Sequence, residues 1–394
     1  MTRAMSRRLN AVSDAELERR WALLRAEMIR EDLEAVIVTG SNDWLGGHLR
    51  WLTDFPATNG YPRTAIFWRD RPMTVIEMGP FGAPRDLSGD PVHRGVARVV
   101  TRPAFTSVGQ TNGYDAEVLV AELQGARRAG LVTPGAMPFA MVSALRTMPR
   151  LETRDVTGLL DRLKAVKSAE EIAAYRATCA LQDAVFAHVL DMVRPGLRDV
   201  DLATAAMARA QELGSDQGIV LCGSAPPGQA ARFNPRQLQG RVMGPGDHVS
   251  ILIEVNGPGG AYAEIARTIV LGRAWSALTD SFALMVEAQA ETLSRMKPGA
   301  DPAAIAAAHD AWMQARGLPP ETRLYAHNQG GDMVERPLLR HDETLPLAEG
   351  QTFAVHPGYD DGTVFAVICD NYTIGATGPG PCEHKTPKQI FETE

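Results

Sequence analysis

The sequence predicts an α/β domain at residues 1–155 followed by an α+β domain at 156–394 that is built from two similar halves. Two observations carry this. In the first part, short β-branched runs alternate with helical stretches, the pattern of a partly parallel sheet covered by helices. In the second part, a Pro-Gly turn leading into an Ala-rich helix closed by Gly occurs twice, each time followed by a strand-rich stretch.

The elements of the first domain follow in order. Residues 14–32 carry Leu17, Trp21, Leu24 and Met28 at helical spacing on one face. The run Ala35–Val38 reads as a strand, as do Thr64–Trp68, Met73–Glu77 and Arg127–Val132. The boundary lies near Asp155–Lys167. There Ser168-Ala-Glu-Glu171 forms a capping-box signal, and the helix it starts is expected to run through Leu190. Beyond it, Met192-Val-Arg-Pro-Gly196 leads to a helix ending at Leu213-Gly214, and Met296-Lys-Pro-Gly299 to one ending at Arg316-Gly317. The stretches 249–271 and 351–375 that follow are strand-rich, which places a site between two halves related by a pseudo-twofold axis.

Composition narrows the function. The chain has 394 residues, 45% hydrophobic and 22% charged, with a net charge of −7, an ordinary soluble balance. No Lys/Arg cluster offers a face to nucleic acid. No apolar run approaches the roughly 18 residues of a membrane span. The basic start MTRAMSRRLN lacks an apolar stretch behind it, so no signal peptide is expected. Cys179, Cys222, Cys369 and Cys382 form no close pair, which fits a reducing cytoplasm.

Four segments carry ionisable groups in suggestive settings. They are Arg232-Phe233-Asn234-Pro235, the apolar hairpin 249–268 with Glu254 and Glu264, the loop 325–337 with His327, Asp332 and Glu335, and the strand-like stretch 352–371 with His356, Cys369 and Asp370. The glycine-rich pieces Gly257-Pro-Gly-Gly260 and Gly330-Gly331 lack the Lys-Ser/Thr of a phosphate loop.

The order and spacing of these segments resemble the pita-bread family of methionine aminopeptidase, prolidase, aminopeptidase P, creatinase and ectoine hydrolase (peptidase family M24-like). The residues that carry the resemblance are Gly246-Asp247 before the first strand, Ala266-Arg267-Thr268 at the hairpin's end, His327 ten residues before Pro337, and Gly350 ahead of His356-Pro357-Gly358. The resemblance covers nearly the whole chain. It implies a creatinase-like α/β N-terminal domain and a pita-bread C-terminal domain. Metal-dependent members hold two divalent ions with two Asp, one His and two Glu. Here those positions fall on Glu254, Glu264, His327, His356 and Cys369, and a further histidine position falls on Val334. Imidazole cannot bridge two ions through two oxygens, and a thiolate suits hard ions poorly. The dinuclear centre therefore looks lost. In creatinase and ectoine hydrolase, C–N bonds are cleaved without the metal pair. Creatinase's catalytic histidine position falls on Phe233 and its substrate-binding glutamate position on His356.

Each residue has a bland alternative. His327 is either a site residue or a core histidine, and His356 either a proton carrier or packing. Glu254 and Glu264 are acid–base groups or partners of an arginine, Arg267 for Glu254. Cys369 is a ligand or a small buried hydrophobe. Asp332 and Glu335 contact substrate or are solvated loop charges. In the first domain, Trp44, Arg50, Trp51, Tyr61 and Arg63 surround a turn-rich loop. The resemblance implies that this loop reaches the partner's site in a homodimer, where Arg63 and Tyr61 contact substrate. Three functions are expected in order. The first is a cytoplasmic hydrolase of an amide-like C–N bond in a small polar molecule, with no metal cofactor, using His327, His356, Glu254 and Glu264. The second is an Xaa-Pro peptidase-like enzyme with one divalent metal such as Zn on Glu264, His327, His356 and Cys369. The third is a non-catalytic binding protein on the same scaffold.

Overall fold

The computed structural model describes residues 11–42, 46–56, 58 and 60–393. Trp44, named above, lies outside the described residues. The chain divides into two compact units, Met1–Lys164 and Ala165–Glu394.

The first unit runs α1 (Asp14–Arg30), β1 (Ala35–Gly40), α2 (Gly47–Thr53), β2 (Arg63–Trp68), β3 (Met73–Met78), β4 (Arg85–Asp86), β5 (Val96–Arg102), α3 (Asn112–Glu122), β6 (Arg128–Val132), α4 (Phe139–Arg146), β7 (Glu152–Asp155) and α5 (Thr157–Ala165). The sheet order is β4-β5-β3-β2-β1-β6-β7. β1 pairs antiparallel with β2 and parallel with β6, so the sheet is mixed, as the alternation of strand and helix predicted. Strand periodicity sends Val36 and Val38 to one face, where Leu24 and Met28 of α1 cover them, and Ala35 and Ile37 to the other, under Leu119 of α3 and Met141 of α4. Val156, Leu159 and Leu160 pack into the first of these cores. That packing draws α5 into the first unit, so the compact division falls later than the one read at 155/156.

The second unit runs α6 (Ala169–Met192), α7 (Asp199–Glu212), β8 (Gly218–Ala225), β9 (His248–Asn256), β10 (Tyr262–Leu271), α8 (Ser276–Arg295), α9 (Pro302–Gln314), β11 (Ala326–Asn328), β12 (Glu335–Leu338), β13 (Thr352–Val355), β14 (Gly358–Asp360), β15 (Phe365–Val367), β16 (Asp370–Gly375), β17 (Gly378–Pro379) and β18 (Phe391–Thr393). The order helix, helix, strands occurs twice, which is the two-halved pita-bread plan. Both halves of the Ser168/Glu171 capping box form at the start of α6. Gly214 and Gly317, just past α7 and α9, take φ of 102° and 75°, the left-handed closure that a side chain would resist. The first half forms the sheet β10-β9-β8, which the C-terminal strand β18 extends beside β10, and the second the sheet β12-β11-β13-β16-β17. Among the described residues, no helix is long and apolar enough to cross a membrane.

Candidate active site

The site grows from alternation along one hairpin. β9 and β10 pair antiparallel with Glu254 directly opposite Glu264. Ile251, Ile253, Val255, Ile265 and Ile269 form one face and pack with Val185 and Val189 of α6 and Leu202 of α7. Period two therefore puts Leu252, Glu254, Glu264 and Ala266 together on the opposite face. The second sheet supplies the histidines. His327 lies opposite Ala354 of β13, and His356 follows that strand, its N–H donating to Tyr325 O at 2.6 Å.

These elements converge on Glu264. His327 Nε2 stands 3.7 Å from Glu264 Oε2, and His356 Nε2 stands 4.0 Å from the same oxygen. The two imidazoles meet at 5.2 Å between centroids and 69° between planes. Both nitrogen–oxygen separations exceed hydrogen-bond length. His327 Nδ1 lies 3.1 Å from Asn328 O, so Nδ1 carries the hydrogen of a neutral ring and Nε2 presents a lone pair toward the carboxylate. The Nε2 of His356 is buried with no hydrogen-bond partner. A carboxylate oxygen and two imidazole nitrogens that face one another without hydrogen bonds form a cation-shaped set. Among the described residues, the ligand atoms of Glu264, His327 and His356 all lie within 4.8 Å of one another. Two imidazoles and a carboxylate are a three-ligand set known for catalytic zinc, and a backbone carbonyl fixing a ligand's other ring nitrogen is its usual support. The residues present thus fit one divalent ion.

The two remaining family positions, Glu254 and Cys369, are chemically different from these three. Burial and the neighbouring Glu264 carboxylate push Glu254 well above the usual carboxylate range, against which the Gln329 amide, donating to Oε1 at 2.9 Å, is a partial offset. Burial would also raise Glu264, but His356 first and then His327 hold it below its ordinary value. The pair therefore keeps one proton, on Glu254, and one charge, on Glu264. Burial lowers His356 to about 4, so its ring is neutral at neutral pH. Cys369 is fully buried, and its Sγ donates to the backbone oxygen of Glu264 at 3.4 Å. Burial raises that thiol far above its ordinary value, which keeps it protonated.

The other residues singled out from the sequence sort as follows. Half-buried Phe233 packs with Leu252, Ala266, Ala354 and Cys369 and meets Phe365 edge-on at 5.1 Å, an apolar wall beside the Glu264 face. Asp332 and Glu335 are buried rather than solvated, a correction to the expectation of loop charges in water. Glu335 pairs with Lys167 at 2.5 Å and accepts the Asp332 N–H at 3.1 Å, because the loop folds back onto the residues leading into α6. The anticipated Glu254–Arg267 pair does not form. Arg267 binds Asp370 at 2.6 Å. In the first unit, Arg50 and Trp51 are buried, Arg63 binds Glu77 at 3.0 Å and Pro56 O at 2.8 Å, and exposed Tyr61 meets Phe105 edge-on. Tyr61, Arg63 and Glu77 line a cavity of about 330 Å³. Gln329, whose amide meets Glu254, Asn371, which accepts the Glu264 N–H, and His384, which meets Asn371, carry no sequence motif and were not anticipated.

The model of the metallopeptidase family M24 matches residues 173–376. A probable dipeptidase PepE of Mycobacterium tuberculosis is 28% identical over 286 residues, covering 70% of this chain and 74% of that protein. The crystal structure of dipeptidase PepE from Mycobacterium ulcerans superposes with a TM-score of 0.75 at 22% identity, over 97% of this chain and 99% of that one. A prolidase from Thermococcus sibiricus superposes with a TM-score of 0.78 at 17% identity, over 97% and 100%. The two structural matches speak for the fold.

Proposed function

The chain belongs to the metallopeptidase family M24, and we propose that it hydrolyses a peptide-like C–N bond in a small substrate at a centre that holds one divalent ion. The observation that carries this is the convergence of Glu264, His327 and His356 on a common point with His356 Nε2 left unpaired. Those three residues would hold the ion, and a bound ion such as zinc supplies Lewis acidity at the scissile carbonyl. The chain's own residues do the rest. Glu254, its pKa raised by burial and by Glu264, would deliver a proton to the departing nitrogen, work that contributes roughly 10²–10⁴-fold. Phe233 and Phe365 offer an apolar wall to the substrate. A homodimer in the cytoplasm, with the Tyr61–Arg63 loop serving the partner's site, belongs to the same reading; the four free cysteines fit a reducing compartment.

A metal-free reading of the creatinase and ectoine hydrolase type rests on a different observation. His356 is neutral and Glu254 protonated, so a base and an acid already share the site. One experiment separates the two. The purified protein is assayed for metal and for hydrolysis of a panel of Xaa-Pro and other dipeptides, before and after exhaustive chelation and after adding back Zn²⁺ or Mn²⁺. One equivalent of metal per chain, with activity lost on chelation and restored by the ion, is expected. Activity that survives chelation in metal-free protein rejects the one-ion centre in favour of the metal-free reading. Two equivalents per chain also reject it.

A further inference from the structure

His356 stands just past β13, and Pro357 behind it has no N–H to hold the chain in register. Three backbone groups are left to fix the imidazole: the His356 N–H, the His356 carbonyl and the Gly358 N–H. One short segment, residues 321–325, takes all three. The His356 N–H donates to Tyr325 O at 2.6 Å. The His356 carbonyl accepts from Arg323 Nη2 at 3.2 Å. The Gly358 N–H donates to Glu321 Oε2 at 3.1 Å.

Arg323 and Glu321 also hold each other. The guanidinium donates through Nη2 to Oε2 at 2.9 Å and through Nε to Oε1 at 3.1 Å, and the Arg323 N–H donates to Oε1 at 3.2 Å. The Glu321 side chain is only 4% exposed. Its backbone N–H donates to the Asp310 carboxylate of α9 at 3.1 Å, so the clamp is footed on a helix. Gly358 makes room for it. A Cβ there would press on Arg323 Nη2 and stand 3.0 Å from Cζ. Gly358 does not take a positive φ, so the guanidinium rather than the backbone demands the missing side chain. Further along, the same stretch becomes β11 and presents His327 to Glu264. Residues 321–327 thus carry one imidazole of the site and hold the other.

We propose that Arg323 and Glu321 are positioning residues that set His356 against His327 and Glu264, and thereby the affinity of the centre for its ion. They act through the His356 carbonyl and the Gly358 N–H. The ring itself offers no substitute, because its buried Nε2 has no hydrogen-bond partner. The inference rests on the reading of Glu264, His327 and His356 as a one-ion centre.

The test strips the full-length protein of metal and titrates it with Co²⁺, whose visible absorption reports its ligands. Arg323→Met is expected to weaken Co²⁺ binding about 10–100-fold, the usual effect of losing a group that orients a metal ligand. Gly358→Ala keeps both charges but displaces the guanidinium, and the same weakening is expected. Both changes remove one contact, so the double variant should be little worse than either alone. Unchanged affinity in either single variant overturns the proposal, and so do losses that simply add in the double one. If Arg323→Met does not fold, Gly358→Ala decides alone, by the same criterion. A readout free of metal accompanies the titration: the ring NMR signals of isotope-labelled histidine in the stripped protein, those of His356 identified by their loss in His356→Gln. They are expected to move in Arg323→Met and Gly358→Ala while those of His48 and His188 stay in place. His356 signals that do not move, or histidine signals that all move together, overturn the clamp. A parent protein that takes up no Co²⁺ overturns the one-ion reading instead, and the ring signals then decide whether Arg323 and Glu321 place His356.

Discussion

Replacing Arg267 by Met should be among the most damaging single substitutions in the second unit. Arg267 has no exposed surface and neither does Asp370, its partner at 2.6 Å. The guanidinium also donates to Ala266 O, Cys369 O, Thr386 O and Pro387 O at 2.8–2.9 Å. Three of these carbonyls have other donors, since Ala266 and Cys369 exchange backbone bonds and the Gln389 N–H donates to Pro387 O at 3.0 Å, but that at Thr386 relies on the arginine. Removing the cation from a buried carboxylate costs about 3–5 kcal/mol, the lower figure where a second cation stands by, as Lys388 Nζ does at 3.9 Å from Asp370. The orphaned Thr386 carbonyl adds about 1 kcal/mol. The sum, about 4–6 kcal/mol, rivals the whole stability of an ordinary domain. At roughly 2–4 °C per kcal/mol for a unit of this size, melting should fall by about 8 °C or more in Arg267→Met. Calorimetry measures it, and limited proteolysis should show the segment 384–388 released first. The double variant Arg267→Met with Asp370→Asn removes the stranded charge and should regain part of the loss, a coupling read from a double-mutant cycle. A melting point within about 3 °C of the parent, or strictly additive single effects, would refute the claim that this buried pair anchors β16 and the C-terminal segment to β10.

Three further outcomes follow from the same structure. Burial holds Asp115 of α3 at about 6, with Arg102 only a partial offset, so the folded state binds its proton more tightly than the unfolded chain does at 3.8. The cost is absent below pH 4 and complete above pH 6, at most about 3 kcal/mol; Asp115→Asn should abolish that slope in urea unfolding between pH 4 and 7, and parallel curves for the two proteins would count against it. Glu254→Gln should cut kcat roughly 10²–10⁴-fold while metal content stays at one equivalent, and an unchanged kcat would remove Glu254 from the mechanism. A Cβ at Gly223 would sit 1.9 Å from Arg232 O, so Gly223→Ala should displace the Phe233 segment and lower stability by about 1–3 kcal/mol; unaltered melting would contradict the close approach.

What the sequence made legible is local or ordered along the chain. The capping box at Ser168 and Glu171 located α6, and the β-branched runs located β1, β2, β3 and β6, because short-range chemistry sets those boundaries. The order and spacing of the segments from Glu254 to His356 disclosed the family. Register and remote partners were not legible. Nothing in a run of apolar residues says that Glu254 stands opposite Glu264, and the choice of Asp370 over Glu254 by Arg267 depends on a strand a hundred residues away. Asp332 and Glu335 read as solvated because their segment is polar and glycine-rich; Lys167 buries them from outside it. His384 follows the last motif and meets it through the Asn371 side chain and the Glu264 backbone oxygen.

The one-ion centre proposed above has an electrostatic rationale. Metal-dependent relatives set four carboxylates and a histidine around two dications, and the anionic ligands keep those dications together. In this chain the position of one glutamate is imidazole, that of the other is a thiol bound to a carbonyl, and Glu254 holds a proton. A single ionised carboxylate, Glu264, remains, flanked by His327 and by His356, which is neutral at neutral pH. One anionic ligand and two neutral nitrogens are a sound set for one dication. A second dication would find no anionic ligand of its own and would face the repulsion of the first in a buried site. Ionising Glu254 would supply one, against burial and the charge of Glu264 and with only the ion's own attraction in favour. The proton that denies the second ion a ligand is also the proton a departing amine needs. Loss of the bridging carboxylates and gain of a buried acid are, on this reasoning, a single substitution of chemistry.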